Sequence, residues 1–173
     1  YLYDEEGKKY FDASSGPITC NIGHANPKVL EAIKNQSGKV CFASHAFFEN
    51  RPNRDLAKSL VNLTGNKYDQ AFFVSGGSEA IEASFKLSRQ YALACGETKK
   101  HKIIARAPSY HGSTMGAFSA SDDSEMKDNF QSLTKVSIKV PAPLSYRVPD
   151  NFDTSSYARF CLDELDRTII DED

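Results

Sequence analysis

The stretch AFFVSGGSEAIEASFKLSRQ, residues 71–90, decides the fold class of this chain. Residues 72–74 form a short apolar run, which is typical of a strand covered on both faces. Two adjacent glycines and Ser78 follow, and a helical pattern then runs from about Ser78 to Cys95. One stripe of that pattern is small or apolar and consists of Ala80, Ala83, Leu87, Tyr91 and Ala94. A strand that leads into a helix through such a turn predicts the first half of a βαβ unit.

The residues before this stretch predict a hairpin and two helices. Residues 1–16 place aromatic side chains on both sides of a turn at Gly7. A helix is expected to begin after the N-cap Asn26, with leucine and isoleucine on its inner face. A second amphipathic helix follows and is expected to end at Gly65.

The residues after this stretch continue the alternation of strands and helices. Residues 102–107, KIIARA, predict a second strand, and residues 134–140, TKVSIKV, predict a third. The third strand has one covered face, made of Val136, Ile138 and Val140. Residues 154–170 predict a last helix, on which every fourth residue is suited to burial. This alternation predicts a three-layer α/β/α fold with a mainly parallel sheet.

Composition and charge exclude several classes of function. The chain has 173 residues and a net charge of -2, and its acidic and basic residues are mixed, so neither nucleic acid nor a membrane is an expected partner. No apolar run is long enough to span a bilayer. Four cysteines and four histidines are scattered without a C-x-x-C or H-x-x-x-H pair. This predicts reduced thiols, a cytosol-like compartment and no metal site.

The turn at residues 76–78 is a candidate anion site. A helix N-terminus presents unpaired N–H groups and about half a positive charge, and glycines let a phosphate approach the backbone. Ser78 adds a hydroxyl group or caps the helix. The alternative is a tight turn that needs glycine for steric reasons and binds nothing. The turn matches neither a Walker loop nor a G-x-G-x-x-G dinucleotide fingerprint.

The segment SYHGSTMG, residues 109–116, is a second candidate, because it follows a predicted strand, where open α/β sheets bind ligands. Tyr110 can stack on a planar ligand, and Gly112 permits a tight turn beneath it. His111 can donate a hydrogen bond or act as an acid or base. The alternative is an ordinary loop with a partly buried tyrosine. Both candidates follow strands of the same predicted sheet, so we expect them to face one crevice.

Four segments together resemble the class III aminotransferases, which are fold-type-I enzymes dependent on pyridoxal 5'-phosphate. They occur in the order that the family has, and they read GPITCNIGHANPKVLEAI, FFVSGGSEAIEASFKLSRQY, IARAPSYHGSTMGAFS and ELDRTIIDED. The resemblance implies that residues 48–173 are the first part of the large, cofactor-binding domain. Residues 1–47 would be an N-terminal segment of the small domain.

The resemblance also implies roles for particular residues. Gly77 and Ser78 would bind the cofactor phosphate, which agrees with the chemistry of the helix end. Tyr110 would stack on the pyridine ring, with His111 shaping the same wall. The early segment of the family lines the substrate channel, which points to two further positions, Ile18 and Cys20.

The resemblance places two essential groups beyond the last residue of this chain: the Schiff-base lysine and the aspartate that pairs with the pyridine nitrogen. Four lysines of this chain lie on helix or surface patterns and match no Schiff-base motif, namely Lys86, Lys99, Lys100 and Lys102. We therefore expect the chain to be an N-terminal part of the enzyme that is inactive alone, and its catalytic residues stay unassigned.

The activity implied is transfer of an amino group from an amine or ω-amino acid to a 2-oxo acid, by a homodimer whose sites lie at the interface. Ser113 and Thr114 stand where relatives specific for acetylornithine-type substrates often carry arginine, which weakly disfavours that specificity.

The irregular segment with Phe42, Phe47 and Phe48 is a candidate interface loop or a loop packed on the core. Two alternatives to this activity stay open. One is another pyridoxal-phosphate reaction, namely decarboxylation-dependent transamination, aminomutation or racemisation, and the other is a non-catalytic phosphate-binding module. A cytoplasmic location is expected, with a mitochondrial one left open.

Overall fold

The computed structural model describes residues 1–122, 128–135 and 137–172. The chain divides into two compact units, residues 1–71 and residues 72–173.

The first unit begins with the predicted hairpin. Strand β1, Leu2–Tyr3, pairs antiparallel with strand β2, Lys9–Tyr10. Gly7 turns the chain with a φ of +80°, a region that glycine adopts without steric penalty. The Asp4 carboxylate accepts the N–H of Lys8 at 2.9 Å and so closes the turn from inside. The sequence prediction for this segment is confirmed.

Three helical segments follow in the first unit: α1, Ser15–Ile18, α2, Pro27–Ser37, and α3, Arg51–Leu63. The first is only a short turn, and its backbone is non-helical at Gly16 and Pro17. The second begins as predicted, because the Asn26 side chain accepts backbone N–H groups of the first turn. The third is capped in the same way by Asn50. Both long helices are therefore determined locally by their caps.

The apolar faces predicted for α2 and α3 are not buried. No residue of 1–71, all of which the structure describes, is buried, and Leu30, Ile33 and Leu60 are exposed. An amphipathic helix buries its stripe only where another element covers it, because the periodicity supplies the apolar face but not its partner. The described elements of this unit leave those faces uncovered.

The second unit is built on a parallel pair of strands, β3, Ile104–Ala107, and β4, Ile138–Pro141. Ile104 lies opposite Ile138 in this register. The helices of this unit include α4, Gly77–Ala94, α5, Met115–Ala120, and α6, Thr154–Asp171, and a 3-10 turn lies at Gln131–Leu133. Parallel strands joined through helices confirm the predicted α/β class, present here as an incomplete domain.

The core of the second unit consists mainly of small side chains. α6 packs on β4, and α5 packs on both α4 and β3. The buried apolar residues are Ala92, Ala105, Ala117, Phe118, Ala120, Val140, Ala142 and Cys161. The stripe predicted for α6 is confirmed at its centre, where Cys161 is buried and Tyr157 and Leu165 are half-buried. Small residues allow helix α5 to lie close to the sheet.

Two predictions around the opening stretch were wrong. Residues 72–74 form no strand and are exposed, because a strand needs a hydrogen-bonded neighbour and the sheet described here in the second unit consists of β3 and β4. The stripe predicted for α4 also stays exposed at Leu87 and Tyr91. Helix α4 instead packs on α5 through the face that carries Glu82.

The prediction of one covered face on β4 was wrong as well. Val136 lies outside the described residues, but Ser137 is buried and Lys139 is half-buried, although both belong to the face predicted to be open. Their side chains contact the end of α5, where the Ser137 hydroxyl lies 3.3 Å from that of Ser119. Polar residues can be covered when they find hydrogen-bond partners, which binary patterning does not foresee.

Candidate functional site

The first part of the candidate site is the N-terminal end of α4. Gly76 is the N-cap in extended backbone, and a β-carbon at Gly76 or Gly77 would have no heavy atom within 4 Å. Glu79 reaches back to accept the N–H of Ser75 at 2.7 Å. None of the residues that the structure describes accepts the N–H of Gly77 or Ser78. The helix end is thus an open cradle with free donors, a geometry that suits a phosphate group.

The second part is the loop after β3, which lies directly against this helix end. The N–H of Ser113 donates to Ser78 Oγ at 3.0 Å. Gly112 is buried and has a φ of +134°, and a β-carbon there would lie 2.8 Å from Ser78 Cα. Only glycine allows so close an approach with that backbone. The two segments that the sequence predicted to face one crevice therefore lie against each other and form one surface.

Tyr110 and His111 occupy the rim of this surface. Tyr110 is 69% exposed, so a face of its ring is accessible for stacking. His111 is half-buried, and its backbone N–H donates to Ser121 Oγ at 2.8 Å. Ser121 in turn donates to the carbonyl of Ala117 at 3.3 Å. The loop is therefore anchored to α5 while the aromatic ring stays open to a ligand.

Sequence reasoning missed the role of Glu82 in supporting this loop. Its Oε1 accepts the N–H of Gly116 at 2.9 Å and that of Ala117 at 3.3 Å, at the N-terminal end of α5. The pKa of Glu82 lies below its ordinary value of 4.5, chiefly through the Thr114 hydroxyl and then through these N–H groups, while burial opposes the shift. Thr114 Oγ1 is buried without a hydrogen bond of normal geometry, so the N–H contacts are the firmer support. Lys86, one turn along α4, contributes least.

Lys139 holds the other end of α5. Its Nζ donates to the carbonyls of Ser119 at 3.0 Å and Ser121 at 2.8 Å. A carboxylate at the N-terminus and an ammonium at the C-terminus both match the helix dipole. The only sign of the Glu82 contact in the sequence is that residue 116 is glycine. The structure gives the reason, because a β-carbon there would lie 2.6 Å from Glu82 Oε1. The signal for Lys139 was only its charge within a strand pattern.

Ile18 and Cys20 belong to the first unit. Ile18 is 79% exposed and has a φ of +59°, which is rare for a β-branched residue. Cys20 is half-buried, with its sulfur 3.5 Å from Nδ1 of His24. Their predicted role towards substrate stays a prediction.

The described part of the chain has neither a membrane-spanning helix nor a metal cluster. No helix there has the length and apolar character needed to span a bilayer. Nor does that part contain three or more His, Cys, Asp or Glu side chains arranged to hold a metal ion.

Comparison with known families bears on this geometry. Residues 1–172 match the family model described as Aminotransferase class-III. The chain belongs to the class III aminotransferases. The resemblance noted on the sequence motifs is thereby confirmed over nearly the whole chain.

Individual relatives of this class III aminotransferase agree. It is 39% identical over 170 residues to the uncharacterized aminotransferase YodT of Bacillus subtilis, covering 98% of this chain and 38% of YodT. It is 43% identical over 117 residues to gamma aminobutyrate transaminase 2 of Solanum lycopersicum, covering 66% of this chain and 25% of that enzyme. The chain spans about 38% of the length of YodT, so it corresponds to only part of such a protein.

A solved structure supports the fold type. The crystal structure of an amine transaminase from an uncultivated Pseudomonas species, in its PLP-bound form, is similar with a TM-score of 0.90 and 27% identity. The similarity covers 97% of this chain and 38% of the other. The backbone of this class III aminotransferase therefore has the fold of the corresponding part of a pyridoxal-phosphate transaminase.

Proposed function

We propose that the complete protein containing this chain is a pyridoxal-phosphate-dependent aminotransferase that moves an amino group from an amine or ω-amino acid to a 2-oxo acid. The observation that carries the proposal is the hydrogen bond from Ser113 to Ser78, which joins an open helix end to an aromatic loop. Family membership supports it. The tomato relative named for γ-aminobutyrate, an ω-amino acid, supports the donor class.

The proposal gives each site residue a task. The N–H groups of Gly77 and Ser78 bind the cofactor phosphate, and the open space around Gly77 leaves room for it. Ser78 Oγ already accepts a hydrogen bond from Ser113, so its own hydrogen is directed away from that N–H and is available for the phosphate. Tyr110 stacks on the ring, and His111 completes the wall beside it.

Pyridoxal phosphate, when bound, supplies an aldehyde that condenses with amino groups and a ring that delocalises the electrons of the reacting carbon. The residues described here bind and orient the cofactor, whereas the groups that exchange protons with the substrate are proposed to lie outside this chain. Glu82 and Lys139 act one step further back, because they fix α5 and thereby the loop that carries Tyr110.

The proposal includes the architecture of the complete enzyme. Residues 1–47 belong to a small domain and residues 48–173 to the large one, and Ile18 and Cys20 line the substrate channel. The enzyme is a cytoplasmic homodimer, for which the free cysteines and the exposed phenylalanines at 42, 47 and 48 give limited support.

The cofactor site is tested by titrating pyridoxal phosphate into the apo form of the complete protein and its variants. Gly77→Val should weaken cofactor affinity far more than it lowers stability, because the branched side chain occupies the cradle and shields its N–H groups. Tyr110→Ala should weaken affinity less, since stacking contributes about 0.5–1.5 kcal/mol beyond area burial. His101→Gln is the control, because His101 is exposed and its ring contacts the carbonyl of Lys99.

Wild-type cofactor affinity in Gly77→Val would remove the phosphate assignment. An equal loss of melting temperature in the apo and holo forms would also contradict it, because steric damage acts on both forms whereas lost phosphate contacts act only on the holo form. Assays of amines and ω-amino acids with pyruvate or 2-oxoglutarate then test the reaction. Amino transfer accompanied by release of CO2 from the donor would replace this reaction by decarboxylation-dependent transamination. A 1,2-shift or racemisation without net amino transfer to the 2-oxo acid would replace it by aminomutation or racemisation.

A further inference from the structure

The first unit contains a cysteine, a histidine and an aspartate in line. Cys20 Sγ lies 3.5 Å from His24 Nδ1, a normal distance for a hydrogen bond that involves sulfur. The other ring nitrogen, Nε2, lies 3.6 Å from Asp12 Oδ2, an ion-pair distance. A nucleophile beside a base, with the base oriented by a third group, is the arrangement that activates cysteine and serine nucleophiles.

The local backbone produces this arrangement. The N–H of Gly23 donates to the carbonyl of Cys20 at 3.0 Å, and Gly23 has a φ of +78°. This turn brings His24 back over Cys20. Asp12 is fixed from the other side, because its Oδ1 accepts the N–H of Ser15 at 2.8 Å.

The exposure of the three side chains suits a reaction with a small molecule. The Asp12 side chain is 13% exposed, and the His24 side chain is 56% exposed. Cys20 is half-buried. A carboxylate facing Nε2 favours the tautomer that carries its hydrogen there, which leaves the lone pair of Nδ1 towards the thiol. Of the charged or titratable groups, His24 faces the sulfur and Asp12 faces His24.

We propose that Cys20 is an oxidation-sensitive nucleophile, activated by His24, at which hydrogen peroxide modifies this chain. His24 Nδ1 takes the thiol proton, and the sulfur attacks one peroxide oxygen. The S–O bond forms as the O–O bond breaks, the sulfur is oxidised by two electrons to the sulfenic acid, and peroxide is reduced. The leaving hydroxide takes the proton from His24 and departs as water. This chemistry requires no cofactor, so its test does not depend on whether the complete protein catalyses transamination.

The remaining cysteines provide an internal comparison. Cys41 and Cys95 are exposed and Cys161 is buried. Exposure alone therefore predicts that Cys41 and Cys95 react faster than Cys20. Activation by His24 predicts the opposite order, since the thiolate is the nucleophile and an unassisted thiol is only a few per cent ionised near neutral pH.

The experiment treats the complete protein with hydrogen peroxide at neutral pH and traps sulfenic acid with dimedone. Remaining thiols are alkylated with iodoacetamide, and peptide mass spectrometry gives a rate for each cysteine. We expect Cys20 to react about five- to thirtyfold faster than Cys41, a range limited by the few per cent of an ordinary thiol that is already ionised. His24→Gln should remove the advantage, and Asp12→Asn should reduce it.

A second pH distinguishes activation from mere access. Near about pH 10 ordinary thiols are almost fully ionised, because their reference pKa is about 8.5. The wild type and His24→Gln should then react at the same rate at Cys20. Faster reaction in the wild type at both pH values would show that His24 acts by shaping the loop and would overturn the proposal. So would a Cys20 rate at or below that of Cys41 at neutral pH. Cys161 is buried, so its rate of modification increases only if the protein unfolds. If His24→Gln raises the Cys161 rate, that variant is unfolding, and the effect of Asp12→Asn on the Cys20 rate then tests the proposal in its place.

Discussion

Gly112→Ala is expected to destabilise the protein even when no cofactor is bound. The substitution forces an alanine into a backbone with a φ of +134°, and such strain amounts to about 1–3 kcal/mol. The new methyl group would also lie 2.8 Å from Ser78 Cα and 2.9 Å from Ser78 Cβ, and overpacking of this kind costs about 1–3 kcal/mol. Together these effects predict a loss of about 2–6 kcal/mol in the free energy of unfolding.

The assay is urea unfolding of the apo form of the complete protein, followed by circular dichroism, with the slope of the transition checked against wild type. Gly77→Ala is the matched control, because a β-carbon there meets no atom within 4 Å, and its effect should stay below about 1 kcal/mol. A Gly112→Ala protein within about 0.5 kcal/mol of wild type would refute the reasoning, because surface changes without such contacts stay in that range. The loop would then not lie against the helix end.

Three further changes test the supports of the fold. The folded-state pKa of Glu82 lies below 4.5, chiefly through the Thr114 hydroxyl, so its contribution to stability is present above pH 4.5 and is lost as pH falls through the folded value. Glu82→Gln should therefore lose less stability than wild type over that pH range, and thermal melts in which both proteins lose the same stability would contradict this. Lys139→Met should lower the free energy of unfolding by about 1–3 kcal/mol, because two carbonyls at the end of α5 lose a charged donor, and an unchanged urea midpoint would exclude that role. Asn26→Ala should lower it by about 0.5–2 kcal/mol through loss of the α2 cap, and Asn26→Asp, which keeps the acceptor, should restore it.

Features fixed by local chemistry were predictable from the sequence. The hairpin at Gly7 and the start of α2 at Asn26 both depend on residues within a few positions of one another, and both appear where expected. The glycine turn before α4 was also predictable, because the capping residues and glycines that mark a helix end lie next to it in the sequence.

Features that depend on a distant partner were not predictable. Residues 72–74 have the composition of a buried strand, but composition does not supply the neighbour that a strand requires. In the site, the sequence predicted that the segments of Ser78 and Gly112 face one crevice, but it did not predict the close approach of Gly112 to Ser78. The role of the Glu82 carboxylate was missed because it contacts Gly116, 34 residues further along the chain, and hydrophobic periodicity does not reveal a contact between residues so far apart in sequence.

The bond between Ser113 and Ser78 means that the two halves of the proposed cofactor site are not independent. A ligand held at the helix end also fixes the loop that carries Tyr110, and a ligand stacked on that ring also orders the helix end. The free-energy losses from Gly77→Val and Tyr110→Ala should therefore not add, and a double-mutant cycle on cofactor affinity should give a coupling of about 0.5–3 kcal/mol, the range found for residues that share one network. Replacing Ser78 by alanine should reduce this coupling, because the hydroxyl that links the two halves would be gone.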